Sequence, residues 1–365
     1  MINLVVDLDE RFASDADARE RAARAGYALG AASEATLAWI DEIFGGVWST
    51  EVAMAGSAVA TKDDEPVGFA AFDPQGLRFA WLRGIAREPG VGIFGPFGVA
   101  PAHRGGPLGP ALLEIALCGL RARGYRRGLV AAASDELVPY YERYGARVVE
   151  RYDVRDFTPR PVRTVVLASG SGTNFQAVID RVTDGLPLEL AALVANKADA
   201  FAITRARHAG IPAIVLPWQR ESVSREEYDA ELYDVVAQLE PELVLLLGWM
   251  HLLERAFVGA FPQMLNVHPA FLPLDPASDR VTLSDRTTMP AFRGPHAVRD
   301  ALAAGSTWVG ASVHEVTMQT DRGRVLARKP LRVVAGEDEG AVLTRLHPIE
   351  HKVVATAIRR WLFER

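Results

Sequence analysis

The chain has 365 residues, 49% of them hydrophobic and 24% charged, with a formal net charge of -6. That length suggests two domains, each large enough to bury a core, and the acidic balance argues against a broad basic surface for nucleic acid. A single cysteine, Cys118, excludes an internal disulfide framework, and no apolar run reaches the ~20 residues of a membrane span. The opening MINLVVDLDE lacks the basic n-region of a secretory signal, so the chain reads as cytoplasmic.

In chain order, residues 58–61 and 67–72 predict a hairpin around Lys62-Asp63-Asp64-Glu65. A strand follows over 94–100, ending in GPFGVA, and then the basic glycine loop from Pro101 to Gly109. The next helix buries Leu112, Leu113, Ala116, Leu117 and Leu120, with Cys118 as an inert core thiol. A strand feeding a glycine loop and a helix presents amides to a phosphate, here a pyrophosphate. The stretch 157–163 carries two prolines. Proline suppresses helix before it and stiffens a connector, which places the domain boundary there.

Beyond the boundary, strand and helix alternate. Residues 164–168 (TVVLA) form a short apolar strand, followed by the loop SGSGTN and a helix from Phe175. Strands are predicted at 188–195 and 213–216, with a helix at 200–209 between them. Ser224 opens a capping box with Glu227, and Tyr228, Leu232, Val235, Val236 and Leu239 share one helical face. Residues 243–247 (LVLLL) are fully apolar, as a buried parallel strand requires. The alternation predicts a doubly wound α/β half with its site at the carboxyl ends of the strands.

Asn266 and His268, in the run LNVHP, fall at such an end, and Asp321 lies about fifty residues downstream. Together they suit an acyl transfer to an amine. Asn266 donates to a developing oxyanion, His268 donates to the same oxygen or moves a proton, and Asp321 orients and charges the imidazole. His314, in a strand-like run, reads as structural. Glycines in the loop Ser169–Asn174 allow a tight turn, and amides at a helix start bind anions, so a phosphate is the natural guest.

Residues 164–363 resemble phosphoribosylglycinamide formyltransferase, the folate-dependent enzyme of purine synthesis. The resemblance runs in order through LASGSGTNFQAVID, NKADAF, SREEYDAEL, LLGWMHLL, LNVHPAFLP, GASVHEVT and IEH. It implies that the amine of glycinamide ribonucleotide attacks the formyl carbon of the co-substrate 10-formyltetrahydrofolate. Asn266, His268 and Asp321 would then be catalytic. Gly172, Thr173 and Asn174 would bind the ribonucleotide phosphate, with Arg225 in support. Glu350 would hold the glycinamide end, and Trp249, Met250, His251 and Leu253 would line the folate pocket. No metal is implied.

Two departures stand out. The family usually carries Asp-Gly-Gly-Pro where this chain has Asp321-Arg322-Gly323-Arg324, a change expected to alter the loop path and the pocket wall. About twenty mainly polar residues also separate Pro273 from Gly294, where the family uses a few. A loop of that length reads as a lid, a partner surface or a disordered segment.

Most of residues 50–150 resemble the GCN5-related N-acetyltransferase family, through FGVAPAHRGGPLG and SDELVPYYERYGARVVER. The resemblance implies acetyl-CoA bound at Val99, Arg104, Gly105, Gly106 and Gly109, with Tyr141 protonating the departing thiolate. Pro107 stands where a glycine is expected and removes one amide donor. Ser134 replaces the usual asparagine, and no general base is evident.

The expected fold is therefore α/β: a doubly wound, Rossmann-like formyltransferase domain over 164–365, with an insertion near 274–293, behind an acetyltransferase-like α/β domain over 1–157 and a linker at 158–163. Small molecules are the expected partners. Other readings are a formyltransferase acting on a sugar nucleotide, a 10-formyltetrahydrofolate hydrolase using the same triad with water, and a non-catalytic sensor of acetyl-CoA or folate.

Overall fold

The structure is a computed structural model that describes residues 1–45, 47–73, 84–153 and 160–364. Part of the linker placed at 158–163, and the end of the segment placed at 1–157, lie outside the described residues. The chain separates into two compact units. Met1–Thr158, Leu283–Arg286 and Leu362–Arg365 make up the first, and Pro159–Thr282 and Thr287–Trp361 the second.

The first unit runs β1 (Ile2–Asp7), α1 (Ala16–Arg24), β2 (Ala28–Gly30), α2 (Glu34–Phe44), α3 (Trp48–Ala53), β3 (Gly56–Lys62), β4 (Glu65–Phe72), β5 (Val91–Val99), α4 (Leu108–Ala122), β6 (Arg127–Ala133), α5 (Val138–Glu142) and β7 (Ala146–Arg151). Its strands form one sheet in the order β2-β3-β4-β5-β6-β1-β7. Lys62 pairs with Glu65 across the β3–β4 hairpin. Asp63 and Asp64 between them take φ of 53° and 64°. Two left-handed residues are what a tight two-residue hairpin needs, and short polar aspartates tolerate that region. β5 starts at Val91, ahead of the expected Phe94, because residues 91–94 pair parallel with β6. Leu112, Leu113, Ala116, Leu117 and Leu120 of α4 are all fully buried. Each leucine there contributes about 2 kcal/mol of burial. Cys118 is buried beside them, and desolvation raises its thiol pKa to about 11.

The second unit runs β8 (Val162–Ala168), α6 (Thr173–Thr183), β9 (Leu188–Ala195), α7 (Phe201–His208), β10 (Ala213–Val215), α8 (Arg225–Gln238), β11 (Leu243–Leu246), α9 (Arg255–Ala260), β12 (Met264–His268), β13 (Arg280–Thr282), β14 (Thr288–Pro290), α10 (Ala297–Ala303), β15 (Trp308–Glu315), β16 (Val325–Arg332) and α11 (Glu339–Glu364). The sheet order is β10-β9-β8-β11-β12-β15-β16. The strands from β10 to β12 pair in parallel, and β15 and β16 add antiparallel. β11 is buried along its whole length, so its apolar run suits a sheet covered on both faces. The order reverses between β8 and β11, and a crevice opens at their carboxyl ends. α8 is fixed at its start by the capping box: Ser224 Oγ accepts from the Glu227 amide at 3.2 Å, and Glu227 Oε2 accepts from the Ser224 amide at 2.9 Å.

The insertion is ordered as the small β13–β14 hairpin, with Val281 opposite Met289. Val281, Leu283 and Met289 are buried, an alternation that the polar composition of the segment obscures. Among the described residues, no helix is long and apolar enough to cross a membrane.

Candidate active site

A cavity of about 920 Å³ opens where β8, β11 and β12 end, a size suited to a small-molecule substrate. One end is made by the turn between β8 and α6. Gly172 has φ of 68° there, and an added Cβ would lie 2.7 Å from the Ala202 Cβ. The residue is glycine for both reasons: the left-handed conformation and the close pass of α7. Thr173 and Asn174 then begin α6, and all three line the cavity. Lys197, just after β9, lines it too. In the sequence it stands within NKADAF, where nothing local marks it as a site residue.

α11 brings Leu343, His347 and Glu350 to the same cavity. Their spacings of four and three put them on one helical face. Glu350 is buried and accepts from Asn174 Nδ2 at 3.0 Å. Desolvation raises its pKa, with the Asn174 bond and His347 acting the other way. Asn174 Oδ1 and Trp249 Nε1 find no partner among the described residues, so both remain available to a bound molecule. Trp249, Met250, His251 and Leu253 form the wall after β11. The His251 ring stands edge-on to Trp249, Trp218 and Tyr228, 5.7 Å from each.

Arg225 is placed differently from the expectation. It is not among the residues lining the cavity. Its Nε donates to Asp229 at 2.6 Å, its Nη2 donates to the Leu252 carbonyl, and its guanidinium lies over the Trp218 ring. Its donors are taken by a carboxylate one helical turn away and by the loop at Leu252.

At the other end the expected trio does converge, and a fourth group joins it. Asn266 and His268 project from β12, and the antiparallel register of β15 sets Asn266 opposite His314. Asn266 Nδ2 lies 3.2 Å from His314 Nε2 and donates to Asp321 Oδ1 at 3.4 Å. His314 Nδ1 faces the Glu315 carbonyl at 2.8 Å, so that nitrogen carries a hydrogen and donates to it. His314 also lies 3.3 Å from Asp321 Oδ1. It therefore lines the cavity beside Asn266, where the sequence predicts a structural role. The signal was the strand-to-strand register, which a single sequence does not display.

His268 is almost wholly buried. Its Nε2 donates to the Phe292 carbonyl at 2.8 Å, and its Nδ1 stands 3.6 Å from Asp321 Oδ2. With Nε2–H committed, Nδ1 presents a lone pair to the carboxylate. Direct donation from His268 Nε2 to another acceptor would break the Phe292 bond. Burial lowers its pKa, opposed by the Asp321 charge. Burial works against ionisation of Asp321 as well. A hydrogen bond from the His314 ring, the charge of His268 when protonated and the Gly294 amide, which donates at 2.9 Å, outweigh it and hold the carboxyl well below the usual range.

In the loop Asp321–Arg324, Gly323 is the tight point. An added Cβ would lie 1.6 Å from the Glu315 carbonyl oxygen. Arg324 pairs with Glu315 at 2.7 Å.

In the first unit, Arg104 Nε donates back to the Val99 carbonyl at 2.9 Å. Gly105 takes φ of 77°, Gly106 has open space where a side chain would stand, and Gly109 lies in the first turn of α4. Tyr141 is buried, edge-on to Phe94 at 6.2 Å, and desolvation raises its pKa to about 12.

Both units match known protein families. Residues 162–276 and 287–358 match the formyl transferase family model, leaving out much of the insertion, and residues 32–146 match the acetyltransferase (GNAT) family model. The chain is similar to the phosphoribosylglycinamide formyltransferase of Escherichia coli, 37% identical over 196 residues, covering 53% of this chain and 84% of that protein. It is also similar to the enzyme of that name from Schizosaccharomyces pombe, 32% identical over 213 residues, covering 54% of this chain and 95% of that one. A solved structure of glycinamide ribonucleotide transformylase 1 from Symbiobacterium toebii aligns with a TM-score of 0.49 at 33% identity, over 56% of this chain and 90% of that one. With its acetyltransferase-like unit in front, this chain belongs to the formyl transferase family.

Proposed function

We propose that the second unit transfers the formyl group of 10-formyltetrahydrofolate to the amine of glycinamide ribonucleotide, in de novo purine synthesis. The observation that carries this reading is one cavity with two unlike ends. Gly172, Thr173 and Asn174 offer anion-binding amides at one end, with Lys197 alongside, and the Asn266–His268–His314–Asp321 cluster stands at the other. The folate is assigned to the wall of Trp249, Met250, His251 and Leu253. Glu350, between helix and glycine loop, is assigned to the glycinamide end.

The amine attacks the formyl carbon, the carbonyl pair moves onto oxygen, and a tetrahedral oxyanion forms. The Asn266 amide hydrogen held to Asp321 only across 3.4 Å turns to the oxyanion. The attacking nitrogen must lose a proton as it becomes an amide. Nδ1 of His268 accepts it, directly or through one water, and the ionised Asp321 stabilises the imidazolium that results. The same proton then goes to the folate nitrogen as the carbon–nitrogen bond breaks, and the four groups return to their starting state.

For the first unit we propose acetyl-CoA as the ligand. The supporting observation is the strand–turn–helix from Val99 through Arg104, Gly105 and Gly106 to Gly109, at the start of a fifteen-residue helix that has no side-chain cap. Tyr141 is the assigned acid. We place the chain in the cytoplasm, acting on small molecules.

The test is formyl transfer to glycinamide ribonucleotide, followed at the folate absorbance, for wild type and Asp321→Asn. Wild type should turn over, and the variant should lose about 100-fold or more in kcat. Formyl released only to water would favour a hydrolase, and transfer only to an amino sugar would favour the sugar-nucleotide reading. Ligand binding without product in a single turnover would leave a sensor.

A further inference from the structure

Asp321 sits at φ of 52°, a left-handed conformation strained for a non-glycine residue, so its neighbours must hold it there. Two arginines do so, and both take their purchase on the insertion. Arg293 donates Nε to the Asp321 carbonyl at 3.1 Å, Nη2 to the Ser278 carbonyl at 2.9 Å and Nη1 to Asp279 Oδ1 at 3.2 Å. Arg322, the next residue after Asp321, donates Nη1 to the Pro276 carbonyl at 3.1 Å, and its Nη2 meets the same Asp279 oxygen.

The receiving segment is itself fixed. The Ala277 amide bonds Asp275 Oδ1 at 2.9 Å, Ser278 Oγ bonds the Arg280 carbonyl at 2.7 Å, and the Ala291 amide bonds the Asp279 carbonyl at 2.8 Å. The side chains of Arg293 and Arg322 are 14% and 28% exposed, against 72% for Asp279. Water therefore screens the carboxylate more than it contests the carbonyl bonds, and the carbonyls bear most of the hold. Among the described residues, none between Pro269 and Gly294 lines the cavity, which does not suit a lid.

Resting on the formyl-transfer reading, we propose that the insertion is a brace for the Asp321 loop, with Arg322 and Asp279 as positioning residues that act through it. The exchange of a glycine for Arg322 and the added segment are then one device: the arginine is useful because residues 276–279 are there to receive it.

The test compares kcat, KM and amide hydrogen exchange for wild type, Arg322→Ala, Arg322→Lys, Asp279→Ala and the double variant Arg322→Ala/Asp279→Ala. Arg322→Ala should lower kcat about tenfold, as expected for a misplaced catalytic group, with both KM values within about twofold. Arg322→Lys, still able to donate to the carbonyls, should recover part of the loss. Asp279→Ala should cost about threefold because its carboxylate is solvated, and the double variant should lose less than the product of the two. Exchange across residues 316–326 should speed up several-fold in Arg322→Ala. Unchanged exchange there, or multiplicative losses, or a loss confined to KM would overturn the brace. Should Arg322→Ala not fold, Arg322→Lys and Asp279→Ala are read the same way. A wild type that transfers no formyl group to this acceptor would instead sink the functional reading, while the exchange result would still decide the brace.

Discussion

At Glu350, function and stability pull apart. Its pKa is raised by burial, so the stability it contributes is full below its unfolded pKa near 4.5 and is lost as pH rises through the higher folded value. At neutral pH its charge is a burden that the Asn174 bond and His347 offset in part and a bound amine offsets further. Glu350→Gln keeps an acceptor for Asn174 and removes that charge. It should raise the melting temperature by about 2 °C, or about 1 kcal/mol, while weakening the acceptor's KM at least tenfold. A lower melting temperature would contradict the assignment. His268 titrates in the opposite sense. Its pKa is depressed below 6.5, chiefly by burial, so its contribution is present above 6.5 and lost as pH falls through the lower folded value. Because Nδ1 must be free to take a proton, kcat should be flat above 6.5 and fall on the acid side of it. A rate profile over about pH 5 to 8 checks this, and a limb centred above 6.5 would rule out His268 as the acceptor.

Among the elements, the turn from β8 into α6 is the most exacting. Gly172→Ala must fit a Cβ 2.7 Å from Ala202 in a left-handed conformation. The variant should lose about 2 kcal/mol of stability and most of its affinity for the ribonucleotide, measured by denaturant midpoint and calorimetric titration. This turn was legible in the sequence, as were the α8 capping box, the β3–β4 hairpin and the buried strands on either side of the topological switch. All are set by residues within a few positions of each other. What escaped reading depends on distant pairing. His314 enters the site because β15 runs antiparallel to β12 in one particular register. Arg225 reads as support for the phosphate until Asp229 and the loop at Leu252 are placed beside it. The insertion reads as a polar loop because only alternate residues of a three-residue strand are apolar.

Across the whole molecule, apolar side chains gather into separate cores, one around α4 and β1 and another around β8, β11 and α8. Scanning calorimetry should resolve two unfolding transitions. Glycinamide ribonucleotide at about 100 times its Kd should add about 2.7 kcal/mol to one of them, and acetyl-CoA should move the other. A single transition displaced by both ligands would show that the units unfold as one. The loop that carries Asp321 has a consequence of another kind. In a saturation mutagenesis experiment scored by growth without purines, Gly323 should appear as intolerant as Asp321, because every side chain there drives a backbone oxygen away. A map of intolerance would then mark as essential a residue with no chemistry of its own, beside two arginines whose many replacements leave slower but living enzymes.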